Sequence, residues 1–444
     1  MKLPGRNRCF VRLAALMLAV FAAAPAAMAM TNFIAGADMS LLAYFESSNI
    51  TYKASGQTQD ALTILKNNGI NCIRLRVFTS SAALAQTDPY DYINNLTYTV
   101  PLAARVKKAG LQLLIDFHYS DTWADPGNQA TPVAWTNLDF GSLVLQMRSY
   151  NSNCIAAFVA AGATPDYVQV GNEITGGMLW PNGAVPGSDA STQWSQLAQL
   201  INAAIQGIHD VTGTNSPKII VHIDRGGDWN TTKWFFDNLI QSQHVQIDYI
   251  GESYYPFWHG PLNDLANCLT NAALRYNKPV IVAETAFPWT NTYWTTNIIG
   301  FSGSTNGQAQ YMMALAQIVK NVPNGLGGGI FWWGSEYQNL RRVNEAGFNT
   351  ASFFDAKGNV LPAAAVDGQT AAPLTLTATI SGTNVNVFWP LSGAGLKLRS
   401  TTTSLSAPAW AAVTNSVQNT GTTFYTTLPL NNAASARFYR LQTN

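Results

Sequence analysis

The chain alternates between helical patterns and short apolar runs over most of its length. At Gly69, Gly110 and Gly162 a helical pattern ends and an apolar run follows directly, and glycines in such positions are typical left-handed helix ends. Eight runs have the length and composition of strands: "FIAGAD", "INCIRLRV", "LQLLIDF", "DYVQVGN", "KIIVHID", "IDYIGESYY", "PVIVAE" and "GGGIFWW". Near-continuous apolar strands that alternate with helices predict a parallel sheet covered by helices.

Eight such units over roughly 330 residues favour an α/β fold of the (β/α)8 TIM-barrel type with enlarged loops. A doubly wound open sheet is the competing architecture, but no GxGxxG phosphate loop follows the first strand, as that fold would favour. We therefore assign residues 30–361 to a barrel.

The pattern changes near the C-terminus. Residues 362–373, "PAAAVDGQTAAP", have the composition of a linker. Residues 374–444 then show alternating strands such as "LTLTATIS", "NVNVFW", "GLKLRS" and "ARFYRLQ", which predict a small all-β, sandwich-like module. This segment has no catalytic constellation, so binding, spacing and cell-surface association all remain open as its role.

The N-terminus has the pattern of a secretory signal peptide. Basic residues precede an apolar run that starts near Leu13, and the small residues of Ala27-Met28-Ala29 follow it, which predicts cleavage after residue 29. A membrane anchor would need about 20 apolar residues and no small-residue exit. We expect residues 1–29 to be removed and the mature protein to be secreted, extracellular or periplasmic, without membrane association.

Composition narrows the class of ligand. Only 11% of the 444 residues are charged and the formal net charge is +1, so the basic footprint of a nucleic-acid-binding protein is absent. The 13 Trp and 17 Tyr, among many uncharged polar residues, suit a neutral, hydroxyl-rich ligand such as a carbohydrate. We expect a monomer. Once Cys9 leaves with the leader, three cysteines remain, Cys72, Cys154 and Cys268, and we expect buried free thiols, although one disulfide is possible.

Polar side chains end almost every predicted strand, at the face where a TIM barrel holds its active site. These residues are Asp38, Arg76, His118, Asn172, Glu173, His222, Asp224, Glu252, Tyr254, Glu284 and Trp333. Cleavage of a glycosidic bond needs two carboxyl groups with opposed duties. Glu173 and Glu284 end the fourth and seventh strands, close enough around the ring to converge over its mouth, and we predict that they form this pair.

Seven segments resemble one family of enzymes: "GADMS", "CIRLRVF", "DFHYSDTWADPG", "VQVGNEITGGMLWPNG", "VHIDRGG", "ESYYPFW" and "VAETAFPW". They are similar to the signature segments of the arabinogalactan endo-β-1,4-galactanases, glycoside hydrolase family 53, a member of the retaining clan A. The resemblance covers about residues 31–357. It implies Glu173 as acid/base, Glu284 as nucleophile, and the galactan side chains of pectin as the polysaccharide substrate.

The resemblance also implies roles for the other matched positions. Asn172 would bind the 2-hydroxyl of the sugar, and four residues would line the subsite of the attacked sugar: Arg76, His118, Asp224 and Tyr254. Stacking platforms would be Trp333, Trp123 and Trp180, although "FWWGSEYQNLRR" around Trp333 is less similar to the family. His118 could equally be a hydrogen-bonded structural histidine.

The two carboxyl groups need different environments. We expect Arg76 and the hydroxyl group of Tyr254 to depress the pKa of Glu284, because a cation and a hydrogen-bond donor favour the charged form. We expect the charge of Glu284 and desolvation to raise the pKa of Glu173. Arg74 is expected to be structural, and two further carboxylates, Glu252 and Glu336, are expected to be solvated or salt-bridged.

Two alternatives stay open: another retaining barrel hydrolase, such as a mannanase or xylanase, or a non-catalytic carbohydrate-binding protein on the same scaffold. The chemistry requires no cofactor. Some members of the resembled family hold a structural calcium ion in a long barrel loop. No DxDxDG-type loop is present here, so a metal stays an open question.

Overall fold

The computed structural model describes residues 33–185, 191–295, 300–340, 347–371, 375–390, 396–402, 409–420, 423–430 and 437–442. The predicted signal peptide and Cys9 lie outside these ranges. The chain divides into two compact units between residues 373 and 374, and each unit is described by itself.

The first unit is a closed barrel of eight parallel strands. Each strand pairs with its neighbours in chain order, and the eighth pairs with the first. The strands are β1 (Ile34–Asp38), β2 (Cys72–Val77), β3 (Gln112–Phe117), β4 (Tyr167–Val170), β5 (Lys218–Ile223), β6 (Tyr249–Ser253), β7 (Val280–Thr285) and β8 (Gly327–Trp332). The predicted TIM barrel is therefore confirmed.

Helices connect successive strands. The described helices are α1 (Leu42–Ser47), α2 (Ala61–Asn67), α3 (Ala82–Thr87), α4 (Pro89–Tyr92), α5 (Leu96–Lys108), α6 (Phe140–Ala160), α7 (Ser191–Thr212), α8 (Trp229–Phe236, continued as a π-helix over Asp237–Ser242), α9 (Leu262–Tyr276), α10 (Thr305–Lys320) and α11 (Pro362–Ala371). Side-chain caps fix several helix starts, for example Asp60 on the backbone N–H of Thr63. The three predicted helix-end glycines all have positive φ.

The barrel interior is polar towards the carboxyl ends of the strands and apolar in the layer beneath. Buried side chains from all but one of the strands meet in an apolar cluster, with Tyr249 of β6 packed against it: Ile34, Cys72, Leu114, Tyr167, Ile220, Ile281, Ala283 and Phe331. Two residues further along each strand, a side chain points again to the same face, and at that level β2, β3 and β4 carry Arg74, Asp116 and Gln169, all fully buried. The strand ends therefore present a buried polar layer towards the loops.

The prediction of a linker at residues 362–373 is wrong for most of its length. Pro362–Ala371 form α11, which contacts α10 and β1 and is the last covering helix of the barrel. Small residues allow this close packing: a Cβ at Gly368 would lie 2.0 Å from the carbonyl oxygen of Asn68. The Ala-rich composition has high helix propensity, and a barrel strand must be covered on its outer face.

The second unit is all-β, as predicted. Its strands are β9 (Thr377–Ser381), β10 (Asn384–Pro390), β11 (Lys397–Thr401), β12 (Ala411–Ala412), β13 (Gln418–Asn419), β14 (Thr423–Pro429) and β15 (Phe438–Gln442). They form a four-stranded sheet in the order β9-β10-β14-β13 and a three-stranded sheet in the order β12-β11-β15. Val387 and Trp389 of the first sheet and Leu398 and Tyr439 of the second share one apolar core.

Cys72, Cys154 and Cys268 are buried free thiols, which agrees with the expectation from their odd number. Within the described residues, no helix combines the length and apolar character that crossing a bilayer requires.

Candidate active site

A cleft of about 330 Å³ lies at the carboxyl ends of the strands. Its lining brings together seven of the ten predicted site residues: Arg76, His118, Trp123, Asn172, Glu173, Glu284 and Trp333. The lining also includes residues that the sequence did not single out, among them Tyr255, Trp258 and Phe348. Glu173 and Glu284, 111 positions apart in the chain, thus share one cavity.

Glu173 stands on the turn directly after β4, in the left-handed conformation (φ 50°). This conformation is uncommon for a residue with a side chain and costs of order 1 kcal/mol, so the surrounding contacts must hold it. Its carboxyl Oε1 accepts a hydrogen bond of 2.6 Å from the Ser253 hydroxyl group. Burial raises the pKa of Glu173 well above the ordinary value, and the charges of Glu284 and Asp224 raise it further.

Ser253 is itself the end of a hydrogen-bonded chain. The amide of Gln169 donates to Nδ1 of His222 at 3.0 Å, and the other ring nitrogen, Nε2, lies 2.8 Å from the Ser253 Oγ. Burial lowers the pKa of His222 well below its ordinary value, so the ring is neutral. The backbone N–H of Glu173 also points to Nδ1, at 3.4 Å, and two donors on Nδ1 assign the proton to Nε2. His222 therefore donates to Ser253, and Ser253 directs its own proton to Glu173.

Glu284 has a different environment from Glu173. Its Oε1 is 2.8 Å from Nη2 of Arg74, and its Oε2 accepts a hydrogen bond of 3.0 Å from the Tyr255 hydroxyl group. Ala283 belongs to the inner apolar cluster, so simple alternation would turn Glu284 outward. A register shift between Val282 and Thr285 interrupts the alternation and brings the carboxyl group to the cleft.

The pKa of Glu284 is raised and not depressed, which corrects the expectation. Burial raises it, while the Arg74 guanidinium and the Tyr255 hydroxyl group oppose the increase. Arg74 is shared with Asp38 (3.0 Å) and Asp116 (2.9 Å), whose negative charges also act on Glu284. The predicted difference between the two glutamates remains, because the increase is larger at Glu173, which has no cation in contact.

The side chains that contact Glu284 differ from the predicted ones by two residues for the cation and by one residue for the hydroxyl donor. Arg74, expected to be structural, is the contacting cation, and Tyr255 supplies the hydroxyl group that was assigned to Tyr254. On β6 the inward residues are Tyr249, Gly251 and Ser253, so Tyr254 points outward and donates to the carbonyl oxygen of Gly260 at 2.7 Å. Alternation gives the spacing of inward residues but does not by itself tell which set faces the barrel axis.

Arg76 lines the cleft, and its guanidinium contacts two aromatic side chains there. Its guanidinium lies 4.4 Å from the Trp123 ring centroid and 5.8 Å from that of Trp333, and Nη1 pairs with Asp38 at 3.2 Å. Cation–π contacts of this kind stabilise the two indoles by about 0.5–2 kcal/mol each. Trp333 also packs edge-on against Phe348, with ring centroids 4.2 Å apart, so the cleft has a rigid aromatic wall.

Asn172 and His118 are fixed by their own hydrogen bonds. Asn172 Oδ1 accepts from Arg74 (2.9 Å) and its Nδ2 donates to the carbonyl oxygen of Ala124 (2.9 Å), which leaves one amide proton for a ligand. The backbone N–H of Ala124 donates to His118 Nδ1 (2.9 Å), so the proton lies on Nε2 and faces Asp116 at 3.1 Å. Both ring nitrogens of His118 therefore have protein partners, and no hydrogen bond between His118 and Glu284 occurs among the described residues.

Two further predicted site residues do not line the cleft. Asp224 is buried and accepts a 2.6 Å hydrogen bond from the Thr175 hydroxyl group. It acts on the site through its charge, which raises the pKa of Glu173. The Trp180 indole donates to the carbonyl oxygen of Gly176 at 2.9 Å and so braces the loop after β4.

The expectation that Glu252 and Glu336 are solvated or salt-bridged is wrong. Both are fully buried. Glu252 accepts hydrogen bonds from the Thr232 hydroxyl group and the Arg225 backbone, and burial raises its pKa. Glu336 accepts from the backbone N–H of Leu41 at 2.7 Å, and burial raises its pKa to about 8. Within the described part of the chain, no group of three or more His, Cys, Asp and Glu side chains is arranged to hold a metal ion.

The chain is similar to a known protein family. The family model of glycosyl hydrolase family 53 matches residues 34–366. An uncharacterized protein of Niallia circulans is 39% identical over 346 residues, 74% of this chain and 92% of that protein. The arabinogalactan endo-β-1,4-galactanase of Humicola insolens is 35% identical over 67% of this chain and 88% of its own length.

A solved structure is also similar to this chain. The catalytic domain of the family 53 protein from Ignisphaera aggregans superimposes with a TM-score of 0.68 and 32% identity, and the match covers 80% of this chain and 99% of that domain. The chain, with its closed barrel and its paired carboxyl groups, belongs to glycosyl hydrolase family 53 and is a glycoside hydrolase.

Proposed function

We propose that the protein is an endo-β-1,4-galactanase that hydrolyses galactan, such as the galactan side chains of pectin, with retention of anomeric configuration. The single observation that carries the proposal is the contrast within one cleft. Glu284 has a cation and a hydroxyl donor in contact, whereas among the described residues the Glu173 carboxyl group is bonded to the Ser253 hydroxyl group alone. The first suits a carboxylate and the second suits a neutral acid.

In the first step, an oxygen of the Glu284 carboxylate attacks the anomeric carbon and the glycosidic bond breaks. Glu173 gives its proton to the departing oxygen, so a covalent glycosyl-enzyme and a shortened chain result. Ser253 donates to Oε1 of Glu173, which leaves Oε2 to carry the transferred proton. Once Glu284 is esterified, its negative charge is gone and the pKa of Glu173 falls, so Glu173 can take a proton from the attacking water.

The aromatic wall suits a linear sugar polymer. Trp333 and Trp123 are held by Arg76, and Trp258 is 58% exposed at the edge of the cleft. Exposed indole faces can stack on successive sugar rings. We further propose that the protein acts as a secreted monomer, with the two glutamates as its catalytic residues.

The test separates the two carboxyl groups by chemistry. Glu284→Gln should abolish hydrolysis of galactan and of aryl galactosides alike, because no nucleophile remains. Glu173→Gln should lose activity on galactan but still release a very acidic phenol in a burst, because such a leaving group needs no proton. Glu252→Gln, which removes a buried carboxyl group outside the cleft, is the matched control. Full galactan activity in either of the first two variants would refute the assignment.

Substrate preference needs its own measurement. Reducing-end release from galactan, mannan and xylan, compared side by side, should favour galactan. Equal or greater release from mannan or xylan would replace the proposed substrate, and no release from any polymer would indicate a carbohydrate-binding protein without turnover.

A further inference from the structure

The C-terminal unit has an unusual charge content. Residues 374–444 contain no aspartate and no glutamate, and their four ionisable cations are Lys397, Arg399, Arg437 and Arg440. In a chain with a formal net charge of only +1, this places a purely cationic module after the barrel.

Three of these cations lie on one face of one sheet. β11 and β15 pair antiparallel, with Arg399 directly opposite Arg440 and Lys397 opposite Gln442. The alternating residues Leu398 and Leu441 belong to the apolar core, so the cations project from the opposite face. Like charges directly opposite each other destabilise a sheet, and nothing in the core requires them.

An aromatic side chain accompanies the two arginines. Trp410 directly precedes β12, and the Arg440 guanidinium lies 4.3 Å from the centre of its ring. The Nε atom of Arg399 and the Nε1 atom of Trp410 are buried, and neither has a hydrogen-bond partner among the described residues. Such donors require an acceptor, and the acceptor that matches this charge is an anion.

We propose that the face formed by Lys397, Arg399, Trp410 and Arg440 binds an acidic polysaccharide whose sugar units carry carboxylates. A guanidinium binds a carboxylate through two parallel hydrogen bonds, and an indole stacks on a sugar ring. This face belongs to the second unit and the cleft to the first, and the choice of a uronic-acid polymer rests on the proposed function, because pectin carries galactan on an acidic backbone. An anionic membrane is a poorer match, since lipid binding usually uses about four to eight clustered cations.

The experiment measures binding of the full chain to polygalacturonate by affinity electrophoresis and titration calorimetry, with neutral galactan for comparison. Arg399→Gln/Arg440→Gln should weaken binding to polygalacturonate about tenfold or more, since a charge-assisted hydrogen bond is worth about 1.5–3 kcal/mol. Lys108→Gln/Lys357→Gln removes the same charge from exposed positions of the barrel and should change the affinity less than about twofold, as expected for distant surface charges. Hydrolysis of soluble galacto-oligosaccharides should be unchanged in both.

Arg399→Lys/Arg440→Lys keeps the charge but removes the planar fork, so it should retain the fold and still lose part of the affinity. Three results would overturn the proposal: no binding of the wild type to polygalacturonate, equal binding by the double Gln variant, or equal affinity for phosphatidylserine vesicles. A wild-type protein that binds the acidic polymer but does not hydrolyse galactan would refute the proposed function and leave this site intact.

Discussion

Ser253 is the most informative residue to change, because it is the sole hydrogen-bond partner of the Glu173 carboxyl group among the described hydrogen bonds. Ser253→Ala removes the 2.6 Å bond to Oε1 and leaves the Nε2–H of His222 without its acceptor at 2.8 Å. The series of hydrogen bonds from Gln169 through His222 then no longer reaches the Glu173 carboxyl group. We expect Glu173 to lose both its orientation and a donor that favours its charged form.

The size of the effect follows from the bond that is lost. A hydrogen bond to a charged group contributes about 1.5–3 kcal/mol, which corresponds to a fall of about ten- to a hundredfold in kcat/KM for galactan. The direction of the pKa change is also determined. The Ser253 donor lowers the pKa of Glu173, so its removal raises that pKa further. Since the first step needs the protonated acid, the alkaline limb of the kcat/KM profile should move to higher pH.

The assay compares galactan with an aryl galactobioside that has a very acidic phenol. Its glycosylation step requires no acid, so Ser253→Ala should slow it far less than galactan hydrolysis. Ser253→Thr, which keeps the hydroxyl group, should recover activity, and Ser335→Ala, which removes a buried hydroxyl group bonded to the carbonyl oxygen of Trp332, should leave the pH profile unchanged. An equal loss on both substrates, or an unmoved alkaline limb, would refute the reasoning.

Two more predictions each compare a substitution with a control substitution at a residue of the same type. Tyr255→Phe removes the donor to Glu284, raises the pKa of Glu284 and should move the acid limb of kcat/KM to higher pH. Tyr254→Phe, which removes a hydroxyl group that donates to the carbonyl oxygen of Gly260, should leave that limb in place. A shift in both variants would contradict the assignment. Asp367 is buried without a hydrogen-bond partner among the described residues, and burial raises its pKa. Folding therefore loses stability as pH rises through the unfolded pKa of about 3.9, and Asp367→Asn should gain about 1–3 kcal/mol at pH 7. Chemical denaturation should show that this gain vanishes below about pH 4, and Asp264→Asn, at an exposed position, is the control for the loss of one carboxyl group.

The sequence predicted the barrel well because parallel strands buried on both faces must be apolar throughout, and that pattern is visible without coordinates. It also singled out Glu173 and Glu284, which both line the cleft, because carboxyl groups at the ends of apolar strands have few structural explanations. It failed where geometry depends on strand phase. The choice of Tyr254 over Tyr255 needed the inward set on β6. Arg74 and Arg76 share one face of β2, so choosing between them needed the depth of each side chain in the barrel. The register shift beside Glu284 has no sequence signal that we can identify.

The helix α11 was missed for a related reason. The Ala-rich segment Pro362–Ala371 buries its residues only because α10 and β1 lie against it, and composition alone cannot report a partner that is distant in the chain. Ser253 was missed because serine at a strand end is common. The available signal was His222 on β5, because a histidine in an apolar strand needs hydrogen-bond partners on both ring nitrogens.

The charges of the buried polar layer explain why the site needs both arginines. Arg74 and Arg76 carry two positive charges against the three carboxyl groups of Asp38, Asp116 and Glu284. With one cation fewer, an uncompensated buried carboxylate would cost about 3–5 kcal/mol, and Glu284 would take up a proton. With one cation more, the proposed nucleophile Glu284 would be weaker, and its charge would raise the pKa of Glu173 less. In the proposed mechanism, the single excess negative charge keeps Glu284 reactive and also holds the proton on Glu173, so both proposed roles depend on one balance of charge.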